Sequence, residues 1–398
     1  MLFKDVVGQK ETGRNLVELV HHNRLSHALL FLGKEGTGAL PLALAFAQFI
    51  VCERKDGSQA DSAPSLFGEA PADPEPVYEP CGTCAACQKA AALAHPDIHF
   101  SYPVIPRKAG DKPVSTDYIS EWREFIRLYP YGNVFDWLQF IGAENKQGNI
   151  TAAECNDIIR KLNLKSFESE YKVLIMWMPE YLGQEGNKLL KLIEEPPVNT
   201  LFILVAESES AILPTILSRT QLVKIPSPDT QTIAAALEAR TGTDPQKAWQ
   251  LAAISDGNYR EALQQLQHAG DDWNELLREW LNAILRSGPL AQVKWVEEVA
   301  KQGREKQKQF LRYFSHLLEQ SVRLSVLPAE QLAISESEKD FAARLNKIAD
   351  LQQLEAIVQE LDKAAYFIER NANAKMLFHA LTIKLYHIIR NKSLILMD

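Results

Sequence analysis

The chain has 398 residues, enough for about two to four domains. It is 46% hydrophobic and 24% charged, as expected of a globular protein, and its net charge of −8 argues against an extended nucleic-acid surface while leaving room for local basic patches. It has no run of about 18 apolar residues, and "MLFKDVVGQK" lacks the charged-then-apolar order of a secretory signal, so the expectation is a cytoplasmic protein with no membrane partner.

Residues 26–33 (SHALLFLG) read as a buried strand ending in glycine, and 39–51 as the helix behind it. A weaker strand is expected at 97–102. Residues 151–163 open with Thr151 and carry Glu154 three positions on, the capping-box pattern of a helix start. A strong buried strand follows at 171–178, then a helical run at 183–195 that stops before Pro196-Pro197, and further strands at 200–207 and 221–225. Apolar strands alternating with helices predict a parallel sheet covered on both faces. After "PSPD" (226–229) no convincing strand appears. Residues 229–268 suggest about three helices, and 271–398 hold longer amphipathic patterns such as 352–370 and 374–391. The fold expected is α/β plus all-α, with an α/β domain over 1–226, a small helical unit over 227–269 and a separate helical domain over 270–398.

Two segments have the look of insertions. Residues 53–80, rich in Pro, Ala, Ser and acid, are expected to be a mobile loop. Residues 103–150 instead carry Trp122, Phe125, Tyr129, Tyr131, Phe135, Trp137 and Phe140, which favours a packed insertion.

The turn after the first strand has the form of a phosphate-binding loop, Gly-x-x-x-x-Gly-Lys-Ser/Thr, whose backbone N–H groups cradle phosphate while its lysine and hydroxyl reach the terminal phosphates and Mg²⁺. Gly33 and Gly38 hold the glycine positions, with Gly36 between them. The lysine position is Ala39 and the hydroxyl position Leu40; Lys34 lies at the wrong end of the loop. On the strand at 171–178, where an acid pair would hold Mg²⁺ and activate water, stand Trp177 and Met178, with Glu180 beyond the expected place. Losing lysine, hydroxyl and acids together predicts no hydrolysis by this chain, and no ATP or Mg²⁺ in it. On the glycines alone, an ordinary strand-to-helix turn explains the segment equally well.

"CGTCAAC" places Cys81, Cys84 and Cys87 two residues apart, a spacing that lets three thiolates converge on one ion. Cys52 is a plausible fourth ligand and His95 the reserve candidate. Four sulfurs suit a structural Zn²⁺ with no open position; an iron–sulfur cluster and unligated cytosolic thiols are the competing readings. Cys155 falls in a predicted helix and is expected to be packed. His95, Asp97 and His99 lack a placed nucleophile and read as strand-edge residues, His21-His22 as solvated residues of a first helix, and Glu194-Glu195 as a helix end. Taken alone, Arg219 in "SRT" reads as a cation at a helix end, where the helix dipole favours it.

Together, "DVVGQ" (5–9), "RLSHALLFLGKEGTG" (24–38), "LLKLIEEPP" (189–197), "ILPTILSRTQ" (212–221) and "DGNYREAL" (256–263) resemble the clamp-loader branch of the AAA+ proteins. The likeness covers 1–225 well and extends into the following helices; beyond them it is mainly helical character. It implies an AAA+ parallel-sheet domain with an inserted zinc module (52–87), a helical lid, and a C-terminal helical collar for oligomerisation. The family places a cysteine ahead of the triplet, which supports Cys52, although 28 residues is a longer gap than usual. The matched Arg219 would be an arginine finger acting in trans on a neighbour's ATP, although the family's Ser-Arg-Cys reads Ser218-Arg219-Thr220 here. Arg260 matches a phosphate-reading lid arginine and is expected to be structural in a chain with no phosphate to read. Ala206 and Glu207 stand where active members carry a sensor threonine. The resemblance further implies a hetero-pentamer with gamma/tau-type ATPase subunits and a delta subunit, part of a DNA-directed DNA polymerase holoenzyme, which opens a sliding clamp and sets it on primed DNA. This chain would be a non-hydrolysing stator. The alternatives are an ATPase subunit of the gamma/tau kind and a zinc-bearing DNA-binding protein outside replication.

Overall fold

The computed structural model describes residues 1–54, 77–108, 110–143, 146–267, 273–326, 336–369 and 372–391. Most of the expected mobile loop at 53–80 therefore lies outside the described residues. The chain divides into two compact units, one made of Met1–Thr241 with Ser255–Glu261, the other of Gly242–Ile254 with Ala262–Asp398.

The first unit is built on a five-stranded sheet in the order β2-β3-β4-β1-β5: β1 (Ala28–Leu32), β2 (Ile98–Ser101), β3 (Lys172–Trp177), β4 (Thr200–Ala206) and β5 (Gln221–Lys224). Every pairing is parallel, with Leu30 opposite both Leu204 and Leu222. Neighbouring side chains on a strand point to opposite faces, and both faces are covered here. Leu29, Phe31, Val173, Ile175, Ile203 and Val205 enter one core; Leu30, Leu174, Met176, Phe202 and Leu204 enter the other. The first core is closed by α1 (Lys10–His21), α2 (Ala39–Ile50), α3 (Ala85–Ala91), α4 (Ile119–Leu128) and α5 (Val134–Phe140). The second is closed by α6 (Ala152–Leu162), a 3₁₀ stretch (Pro179–Leu189), α7 (Leu190–Glu194) and α8 (Pro214–Leu217). The helix α9 (Thr230–Thr241) completes the continuous part of this unit.

Three local expectations are corrected. The run at 183–195 is not one helix: Gly183 takes a left-handed φ of 51°, and only Leu190–Glu194 is α-helical. Thr151 does cap α6, its hydroxyl accepting from the Glu154 amide at 3.1 Å, but Glu154 does not close the box; its carboxylate instead accepts from the Ser115 amide at 2.6 Å, in the insertion. His21 is not solvated. It is half-buried against Phe49 and Tyr78, with Nε2 3.0 Å from the Val77 carbonyl, while His22 is exposed.

The insertion is packed as its aromatic content demands. Trp122, Phe125 and Trp137 are fully buried, with Trp122 stacked on Tyr102 at 4.1 Å and edge-on to Trp137 at 5.3 Å.

The second unit is helical in its described residues: α10 (Pro245–Ile254), the later part of α11 (Tyr259–Gln267), α12 (Trp273–Asn282), α13 (Pro289–Ala300), α14 (Arg304–Val326), α15 (Glu336–Ile348), α16 (Leu351–Glu369) and α17 (Ala374–Asn391). A single core joins α12 to α17 around Trp280 and Trp295, stacked at 4.6 Å and 2°. Both indole N–H groups are satisfied, Trp280 by Thr382 and Trp295 by the Leu276 carbonyl.

Candidate functional site

The carboxyl ends of β1, β3 and β4 meet at the loop 33–38, the place where parallel sheets bind ligands. The Gly33 amide donates to Ala206 at 3.1 Å, and Gly38, at φ 88°, caps α2. The loop also bonds to itself: the hydroxyl and amide of Thr37 both donate to the Lys34 carbonyl, at 2.8 and 3.3 Å. Gly36, at φ 73°, lies so close to Asn258 that a Cβ would stand 1.8 Å from its Oδ1. The Lys34 side chain is exposed, and Ala39 and Leu40 are buried where a lysine and a hydroxyl would meet phosphate.

The cavity over this loop measures about 30 Å³. Pockets that take drug-sized ligands begin near ~300 Å³. The space is closed from the insertion by Pro130, Tyr131 and Gly132, and from β3 by Trp177 and Met178. Tyr131 is buried; its hydroxyl accepts from the Val7 amide at 2.8 Å, and its ring is edge-on to Tyr259 at 4.8 Å. Trp177, in the expected acid position, packs against Trp122 at 5.3 Å and so belongs to the insertion's aromatic cluster. Met178 is held at φ 59°, a strained conformation for a bulky residue.

Arg260 is buried beside the loop, its side chain 4% exposed. Nε and one terminal nitrogen donate to the two oxygens of Asp136 at 2.5 and 2.6 Å, and the other terminal nitrogen donates to Glu35 at 2.8 Å. The Asp136–Arg260 contact is the planar two-bond pairing that suits a guanidinium. Gln9 ties the first turn of the chain to the loop, donating to the carbonyls of Thr37 and Pro226 at 2.9 and 2.7 Å. Glu180 caps the end of β4, accepting from the amides of Glu207 and Ser208 at 2.7 and 3.0 Å, and burial pushes its carboxyl up.

Arg219 lies just past α8, after its cap Ser218. Its side chain is 31% exposed, paired through Nε with Glu194 at 3.2 Å and through a terminal nitrogen with the Thr215 carbonyl at 3.0 Å. Such contacts suit a cation at a helix end and leave the guanidinium at the surface.

Cys52, Cys81, Cys84 and Cys87 converge, all four sulfurs lying within 4.8 Å of one another. A tetrahedral Zn²⁺ with bonds of ~2.3 Å sets its sulfurs about 3.8 Å apart; Cys81 and Cys87 stand at 3.9 Å. The donor set and its spacing therefore fit zinc. Cys52, Cys84 and Cys87 are buried and Cys81 partly exposed. Backbone N–H groups already point at sulfur, Cys81 to Cys52 at 3.4 Å, Cys84 to Cys81 at 3.3 Å and Cys87 to Cys84 at 3.4 Å. The Cys87 thiol beside it holds Cys52 down to about 5, and Cys87 is pushed up in turn, so the cluster favours at least one thiolate. His95 is buried but is not among the converging groups, and its Nδ1 accepts from the Asp97 amide. Cys155 is buried, its thiol donating to the Glu185 carbonyl at 3.6 Å, and burial pushes it up to about 11.

Sequence reasoning missed Glu35, Tyr131 and Asp136. Glu35 stood inside the loop motif, and Asn133-x-x-Asp136 had the spacing of a helix start; no local signal joins Asp136 to Arg260, 124 positions away.

Residues 8–229, more than half of the chain, match the family model described as "DNA polymerase III, delta subunit". The chain belongs to this family. Relatives named delta' agree with a delta-prime-type clamp-loader subunit. The delta' subunit of Bacillus subtilis is 27% identical over 206 residues, 52% of this chain and 44% of that protein. The delta' subunit of Haemophilus influenzae is 25% identical over 266 residues, 66% of this chain and 62% of that one. The tau subunit of Bacillus subtilis is 26% identical over 305 residues, 75% of this chain and 43% of its own length. The delta-family chain thus matches less than two thirds of the length of each of these relatives.

Proposed function

We propose that the chain is the delta-prime-type stator of a DNA polymerase III clamp loader, a subunit that hydrolyses no ATP itself. The observation that carries this reading is the filled loop: about 30 Å³ of space, with Ala39, Leu40, Trp177 and Met178 where phosphate chemistry needs cations, a hydroxyl and acids. Within this reading the chain works as a cytoplasmic member of a hetero-pentamer with gamma/tau-type ATPase subunits and a delta subunit, and reaches the sliding clamp and primed DNA through the assembly. Residues 227–269 are its lid and 270–398 its collar. Cys52, Cys81, Cys84 and Cys87 hold a structural Zn²⁺, which supplies a closed tetrahedral staple and no chemistry.

The surface position of Arg219 supports the finger role. Released from Glu194, its fork of N–H donors enters a neighbour's site and stabilises charge on the γ-phosphate as it transfers. The test is clamp-dependent ATP turnover of the reconstituted complex. Arg219→Ala lowers turnover at the adjacent site by about 10³-fold, and Arg219→Lys does not restore it, while ATP binding by the neighbour persists. Unchanged turnover removes the finger. Mg²⁺-dependent ATP binding or hydrolysis by the isolated chain favours the ATPase alternative.

A further inference from the structure

We infer that the insertion at 103–150 is a built-in substitute for nucleotide: Tyr131 fills the space over the loop, and Asp136 supplies the anion that Arg260 would otherwise take from a phosphate. The inference rests on the reading of the loop as non-hydrolysing and says what keeps it so.

The argument starts from the charge. A guanidinium 4% exposed cannot stay unpaired, because a buried charge without a partner is costly. Beside a glycine loop whose shape suits phosphate, a phosphate is one natural partner, since its oxygens match the guanidinium fork as a carboxylate does. Here both oxygens of Asp136 occupy that fork, and Glu35 takes the remaining terminal nitrogen. A phosphate entering the fork would have to displace Asp136. Size acts in the same direction, with the Tyr131 ring standing over Gly38.

Neither residue arrives there by chance of a loose loop. Asp136 is fixed by a reciprocal cap at the start of α5, accepting from the Asn133 amide at 3.1 Å while its own amide donates to Asn133 Oδ1 at 2.8 Å. Tyr131 sits on a turn closed by the Gly132 amide and the Tyr129 carbonyl, so tight that a Cβ on Gly132 would stand 2.6 Å from Phe125. Phe125 and Trp177 share the aromatic cluster, so the tryptophan in the acid's place also braces the plug. The lost catalytic groups and the insertion are thus two sides of one construction.

The test is thermal unfolding of the full, zinc-replete chain with inorganic pyrophosphate as the probe. The unaltered chain should show no shift. Tyr131→Ala/Asp136→Ala removes the plug and its anion; its midpoint should fall, then rise by about 3–6 °C with pyrophosphate at tenfold excess over its Kd. Adding Arg260→Gln should abolish that rise. Tyr131→Ala/Asp136→Asn, which keeps an oxygen for the Asn133 amide, serves if the first variant does not fold. No rise in either opened variant, or an equal rise without Arg260, overturns this inference alone. A rise of the unaltered chain with Mg²⁺·ATP would show nucleotide bound despite the plug and overturn this inference, and ATP turnover by that chain would overturn the non-hydrolysing reading as well.

Discussion

Asp97 shows how a residue that resembles a catalytic candidate can be wholly structural. It is buried, and its two oxygens accept from the amides of Phe167, Glu168 and Ser169 at 2.6, 2.7 and 2.8 Å, pinning the segment before β3 to the start of β2. Burial alone would push its carboxyl up; the amide bonds from Ser169, Phe167 and Glu168 outweigh it and hold the group below the usual range. A depressed carboxyl gives stability that is present above the unfolded value near ~3.9 and lost as pH falls through the folded value. Asp97→Asn should therefore cost about 1.5–3 kcal/mol at pH 7 in urea unfolding, the worth of bonds to a charged acceptor. That difference should shrink as pH drops below ~3.9, and a difference independent of pH would mean the charge plays no part. The sequence placed Asp97 correctly beside a strand but could not show three amides 70 to 72 positions away closing on it. The same limit hid Asp136, whereas Ala39, Leu40, Trp177 and Met178 were legible because a motif fixes where each should stand.

At the scale of elements, the strands were legible because apolar residues fill every position of β3 and β4 after the first, Lys172 and Thr200. The run at 183–195 was not, since its apolar spacing serves a 3₁₀ turn as well as an α-helix until Gly183 breaks the regular path. The cysteine triplet was legible from spacing, and the end of α2 delivers Cys52 to it across the longer gap. Cys84 also caps α3, its sulfur accepting from Cys87, so a metal there would hold the helix start as well as the loop. We expect one zinc per chain by metal analysis. Cys52→Ser should lower that content and the unfolding midpoint, as should a strong chelator, because metal binding free energy is folding free energy. His95→Ala should leave the zinc content unchanged. The reverse pattern would make His95 the fourth ligand.

For the whole molecule, the division into two units separates chemistry from packing. The loop, the Arg260 cluster, the cysteines and Arg219 all lie in the first unit, and the second offers a helical core with apolar residues left outside it. Met376 and Ile383 are 71% and 55% exposed and stand seven positions apart, on one face of α17. From the sequence this helix was legible only as an apolar stripe; which positions face the core depends on α12 through α16 packing around Trp280 and Trp295, and no local pattern records that. Within the proposed assembly, these two side chains are a candidate contact for the ATPase subunits. Met376→Glu/Ile383→Glu should then weaken association with those subunits tenfold or more in Kd, about 1.4 kcal/mol. The isolated chain should barely notice, with each change within about 0.5 kcal/mol, because neither side chain is part of the core. Zinc content and the behaviour of the loop should stay as they are, since both reside in the other unit. Association measured by sedimentation and stability by denaturant midpoint separate the two effects. Equal affinity in the variant and the parent would remove Met376 and Ile383 from the contact, and loss of both affinity and stability would assign the two side chains to the core instead.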